Sequence, residues 1–98
     1  MSLMDLDLIA KALPQAWTST VLGQVGGSNI KVLRMDEMSI EAEVHDYTEG
    51  LLVISGQLLL GVDGESVRVG EGQIYLAKAG VPHAVLSGSH GTLVIIDV

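Results

Sequence analysis

From Thr18 to the C-terminus, apolar residues come in short runs rich in Val, Ile and Leu, separated by Gly, Asn, Asp and Ser. Runs of that length between turn residues predict strands, here near 18–25, 29–35, 38–45, 50–55, 57–62, 65–69, 73–77, 82–87 and 92–97. Gly26-Gly27-Ser28-Asn29, Gly70-Glu71-Gly72 and Ser87-Gly88-Ser89-His90-Gly91 read as turns. Val62-Asp63-Gly64-Glu65 is a hairpin signal, because Asp-Gly tolerates the positive φ of a two-residue turn. Ser55 and Gln57, on either side of Gly56, suggest a further hairpin. Many short strands with no helical pattern between them predict an all-β chain, an antiparallel sandwich or barrel. Ahead of the strands, Leu6, Ile9, Ala10 and Leu13 share one helical face, which predicts a short helix over Asp5 to Leu13 stopped by Pro14.

Length and composition narrow this picture. A chain of 98 residues makes one domain, residues 1–98, with an N-terminal arm over 4–17. At 48% hydrophobic and 17% charged residues it is too apolar for disorder, and the small size favours a homodimer that covers part of the apolar surface. The richest apolar stretch, Leu51 to Val62, is broken by Ser55, Gly56 and Gln57 and falls short of the ~20 residues of a membrane-spanning helix. Asp5 and Asp7 stand where a secretory leader carries basic residues, so a cytoplasmic location is expected, and Met1-Ser2-Leu3 reads as a cloning remnant. With no cysteine, disulfides and thiolate metal sites are excluded. Twelve acids against five bases give a net charge of -7, the wrong sign for binding nucleic acid through its phosphates.

The chemistry-bearing residues gather in Glu43-Val-His45-Asp-Tyr-Thr-Glu49. In a strand, Glu41, Glu43 and His45 point one way and Met38, Ile40, Ala42 and Val44 the other. The polar set faces either water or a barrel lumen, and periodicity does not choose between them. Residues i and i+2 lie ~6.6 Å apart in a strand, so Glu43 and His45 can reach one ion. Glu49 joins them only if the chain turns at Asp46-Tyr47-Thr48, and His83 must come from another strand. Two histidines and a glutamate with open positions form the facial triad of non-haem iron sites, and such nitrogen and oxygen donors suit Fe(II), Mn(II), Ni(II) and Zn(II). Of the remaining candidates, Trp17 reads as a packing anchor for the arm, with a ligand contact as the alternative. Tyr75 reads as packing, and Lys78 and His90 as solvated side chains.

At these residues the sequence resembles the cupin superfamily. That family's first motif is G-x5-H-x-H-x3-4-E-x6-G, and here Glu43-x-His45-x3-Glu49-x6-Gly56 keeps the second histidine, the glutamate and the closing glycine in register. Glu43 takes the place of the first histidine, and Glu37 that of the opening glycine. The second motif, G-x5-P-x-G-x2-H-x3-N, is matched at Gly72, Gly80 and His83, with Lys78 in place of the proline and Ser87 in place of the asparagine. The resemblance runs over 38–98 and implies a double-stranded β-helix, or jelly-roll barrel. It also implies a divalent metal held by His45, Glu49 and His83, with Glu43 as a fourth ligand or a general base. The function expected is a metal-dependent, dioxygenase-like enzyme acting on a small organic molecule in the lumen. The alternative is a binding or sensing module without turnover, with or without metal, because the fold hosts many functions.

Overall fold

The computed structural model describes residues 2–98; Met1 of the expected cloning remnant lies outside them. A short helix, α1 (Leu6–Ala12), precedes eight strands in one antiparallel sheet system: β1 (Thr20–Val25), β2 (Ser28–Met35), β3 (Ile40–Glu43), β4 (Glu49–Val62), β5 (Glu65–Gly70), β6 (Ile74–Ala77), β7 (His83–Val85) and β8 (His90–Asp97). Hydrogen bonding runs in the order β1-β2-β8-β4-β7-β3, with β5 and β6 also paired to β4. The expected all-β jelly-roll barrel with a short N-terminal helix is what forms.

β4 is the strand on which the barrel is hung. Its first half lies between β8 and β6, and its second half pairs with β5 and touches β7. The hairpin expected at Ser55-Gly56-Gln57 is absent. The two strands expected at 50–55 and 57–62 are one, because the chain passes through Gly56 at φ 79° and continues. Gly56 is in register with Gly91 of β8, which has φ 101°. A Cβ on Gly56 would strike the His90 carbonyl, and one on Gly91 the Ser55 carbonyl, so the two backbones approach where only glycine fits. His90, expected in a turn, is instead the exposed first residue of β8.

Alternation along the strands makes both faces of the sheet apolar. Leu33, Met35, Leu51, Val53, Leu58, Leu60 and Leu93 face inward and form the main core, where each fully buried leucine contributes about 2 kcal/mol relative to exposure. Val32, Val94, Leu52 and Ile54 face outward, and α1 covers them with Ala10, Leu6 and Ile9. The helix starts where Asp5 accepts a hydrogen bond from the Leu8 amide at 3.1 Å, and it is pinned where Asp7 accepts one from Ser55 Oγ at 3.0 Å. The arm then turns at Trp17, whose φ is 64°. Its amide donates to the Arg34 carbonyl at 2.8 Å and its indole Nε1 to Asp36 Oδ1 at 2.7 Å, so the ring packs on the main core as an anchor.

One ion pair interrupts the inward face. Lys31 Nζ lies 2.7 Å from Asp97 Oδ2 across the β2–β8 ladder, and Asn29 Nδ2 donates to Asp97 Oδ1 at 3.2 Å. Its partner Asp97 is 5% exposed, against 25% for Lys31.

Replacing Gly56 by alanine combines an unfavourable φ with a backbone collision. The expected cost is about 3 kcal/mol, read as a lower urea midpoint with an unchanged m-value. Lys31→Met leaves Asp97 buried with Asn29 as its remaining partner. It is expected to cost about 2 kcal/mol, less than for a fully buried pair because Lys31 is partly solvated. The hydrogen bond to Asp97 holds the Lys31 ammonium above its ordinary value of 10.5. The pair therefore stabilises the fold fully below pH 10.5 and loses that contribution as pH rises through the higher folded-state value. The stability gap between parent and variant should narrow over that alkaline range in denaturant titrations.

Candidate metal centre

The two sequence fragments meet through backbone hydrogen bonds. The Gly80 amide donates to the His45 carbonyl at 2.8 Å, and the Ala79 amide to Thr48 Oγ1 at 3.2 Å. The 78–81 turn, closed by Val81 N donating to the Lys78 carbonyl at 3.1 Å, thus sits against the turn at Asp46-Tyr47-Thr48. β7 follows at once and pairs with β3, placing His83 opposite Glu43. Directly opposed residues on paired strands share a face, so these two side chains converge.

Side-chain donors of Glu43, His45 and His83 lie within 4.8 Å of one another. His45 Nε2 is 3.5 Å from Glu43 Oε2, and His83 Nε2 is 3.6 Å from Glu49 Oε1. These separations are too long for good hydrogen bonds. They suit two donors of one ion, which lie roughly 3.4 Å apart when each bond is ~2.1 Å and the geometry tetrahedral. His45 Nε2 and His83 Nδ1 are buried without a hydrogen-bond partner. An unpaired buried polar atom costs about 1–3 kcal/mol, so these nitrogens mark a place prepared for something they can bind. Two imidazoles flanked by carboxylates fit a divalent transition ion by donor type.

The four candidate ligands differ in setting. Glu43 is more than half exposed and His45 about a quarter exposed, whereas His83 and Glu49 are buried. Glu49 opens β4 and stands against His83, outside the tight group of three. Burial pushes its carboxyl above the usual 4.5, and the adjacent His45 and His83 pull it back. The Tyr47 ring stacks on His45 at a centroid distance of 5.0 Å and 13° from parallel, which orients the imidazole. Burial raises the Tyr47 hydroxyl, and the Asp97 carboxylate adds to the effect.

These groups open on a lumen cavity of about 260 Å³. Leu33, Leu51, Leu58, Leu60 and Leu93 give it aliphatic walls, and Trp17 and Glu41 also line it. Glu41, Glu43 and His45 thus face the lumen, which decides between the two arrangements that the periodicity allowed. The apolar set does not follow as a block. Met38 and Val44 are exposed, while Ile40 lines the cavity, because the β3–β7 register shifts between Ile40 and Glu43 and breaks strict alternation. Tyr75 packs on the core and Lys78 is solvent exposed, as expected. Trp17 combines both readings, anchoring the arm and lining the cavity.

Lys31 and Asp97 are cavity residues that the sequence reading did not single out. Their signal was a charge set among apolar residues, at Ile30-Lys31-Val32-Leu33 in β2, which also carries Arg34, and at Ile95-Ile96-Asp97 in β8.

Comparison with known proteins agrees with this architecture. Among curated proteins no match to the sequence is found. The fold is similar to the crystal structure of a cupin-2 domain containing protein from Shewanella frigidimarina, at 18% identity and a TM-score of 0.88 over 98% of this chain and 94% of that one. It is also similar to a protein from Neisseria meningitidis, at 18% identity and a TM-score of 0.83 over 98% of both chains. A third similar structure is a cupin superfamily protein from Desulfitobacterium hafniense, at 16% identity and a TM-score of 0.75 over 97% of this chain and 90% of that one. The model of the family described as "Cupin domain" matches residues 31–98, well over half of the chain, and the chain therefore belongs to the cupin family.

Proposed function

We propose that this cupin is a metal-dependent enzyme acting on a small organic molecule in the lumen, with dioxygenase-like chemistry. The observation that carries the reading is the convergence of Glu43, His45 and His83 around two buried nitrogens that lack hydrogen-bond partners. His45, His83 and the carboxylates of Glu43 and Glu49 would hold the ion. When bound, such an ion supplies Lewis acidity or activates O2.

The chain's own groups divide the remaining work. Glu43, at the solvent side of the cluster, is placed to exchange a proton between substrate and water in addition to holding the ion. Glu49 is shielded from solvent and stands 3.6 Å from His83 Nε2, on the buried side of the cluster. Tyr47 fixes the plane of His45 by stacking. The leucine walls exclude water from the side of the cavity away from the carboxylates, which strengthens every charge interaction within it. Leu3, Leu8, Val21 and Val25 are exposed on the arm and β1, and this apolar surface supports a homodimer.

Protein purified without chelator or metal-affinity resin should carry, or take up on titration, close to one equivalent of iron, manganese, nickel or zinc, measured by elemental analysis. His83→Ala should lose it. Zinc at a hundred times its dissociation constant should stabilise the parent by about 2.7 kcal/mol, seen as a melting temperature several degrees higher, and leave His83→Ala unmoved. A parent that neither contains nor takes up metal would overturn the enzyme reading in favour of a metal-free binding module.

A further inference from the structure

The lining of the cavity constrains what enters it, and the following rests on reading that cavity as the ligand site of a metal cupin. Four carboxylates line it, those of Glu41, Glu43, Glu49 and Asp97, against the single ammonium of Lys31. A divalent ion and Lys31 together still fall one charge short of them. Clefts lined by one sign of charge concentrate the opposite sign and repel their own, so an anionic ligand is disfavoured.

Hydrogen bonding sharpens the choice. Ionised carboxylates only accept hydrogen bonds, so the ligand must donate. Lys31 gives one N–H to Asp97 and has two more to offer, and a bound ion also seeks an electron pair, so the ligand must accept as well. An ammonium group donates but does not accept, so it would leave the spare Lys31 N–H groups and the ion without an electron pair. A hydroxyl does both without charge. Trp17 and Tyr47 line the same cavity and add aromatic surface to its walls. His83, 7% exposed with an unpartnered Nδ1, shows that the site has polar capacity not spent within the protein. The volume of about 260 Å³ lies just under the common range for ligand pockets, so the ligand is small.

We propose that the cavity binds a small uncharged polyhydroxy compound, of the size of a pentose or short polyol, and rejects its carboxylate counterpart. Asp97 and Lys31 form a paired acceptor and donor for its hydroxyls, beside the carboxylates and histidines of the metal centre.

Trp17 is the only tryptophan in the chain and lines the cavity, so its fluorescence reports occupancy. The zinc-loaded protein of residues 1–98 would be titrated with D-xylose, D-ribose, xylitol and D-xylonate. At least one neutral compound should change the emission saturably, and xylonate should bind at least about tenfold more weakly. The double variant Lys31→Met/Asp97→Leu replaces the ion pair by apolar groups, an exchange that folds often tolerate. It should take up zinc and bind the neutral ligand about tenfold more weakly. Saturation by none of the neutral compounds, xylonate binding as tightly as they do, or unchanged affinity in the folded double variant would each overturn the proposal. If that variant does not fold, discrimination between xylose or xylitol and xylonate in the parent decides alone. Absence of zinc uptake by the parent would count against the metal-dependent reading. Titration of the metal-free protein would then decide the ligand class, because the excess negative charge is larger there and the preference for the neutral compound should widen.

Discussion

The close approach of β4 and β8 at Gly56 and Gly91 is the constraint on which the barrel depends. Without side chains at those two positions, one long strand passes from one set of partners to another without ending. Its first half carries Glu49, Leu51 and Val53 on the inward face, and its second half carries Leu58 and Leu60. The extra residue between Val53 and Ser55 resets the alternation so that both halves present leucines to the same lumen. A side chain at Gly56 would separate the strands, and the wall of the cavity and the position of Glu49 would move together.

Much of this was legible in the sequence because β2, β4 and β8 are built from short apolar runs rich in Val, Ile and Leu and the turns between runs are marked by glycine. The helix was legible from the shared face of Leu6, Ile9, Ala10 and Leu13 and from Pro14 behind it, and the structure adds Asp5 as its N-cap. The misreading at Ser55-Gly56-Gln57 has a physical cause. A glycine between apolar runs is the signal both of a turn and of a bulge within a continuous strand, and only the cross-strand partner distinguishes them. β3 is shorter than expected because His45, just beyond it, bonds to Gly80 of the 78–81 turn rather than to a neighbouring strand.

The four metal-ligand candidates were legible from spacing and family pattern. Lys31 and Asp97 were not, because a single charge within a strand reads locally as solvent-facing until the other wall of the barrel is known. Their presence alters the chemistry of the lumen. With Glu43 where the family motif has a histidine, the centre carries one negative charge more than that pattern would. Lys31, committed to Asp97, offsets only the charge of its own partner. The interior therefore combines aliphatic walls with an acidic charge.

The N-terminal arm works on both sides of the barrel wall. Helix α1 seals the outer apolar face through Ala10, and a few residues later the chain crosses the rim so that Trp17 reaches the lumen. Arg34 Nη2 holds the bend between them by donating to the Leu13 carbonyl at 3.1 Å. Shortening the protein from its N-terminus past Trp17 would thus not be a neutral trim. One cut would expose the outer cluster to water and remove a wall from the cavity, so the packed unit includes residues well ahead of the matched family region at residue 31.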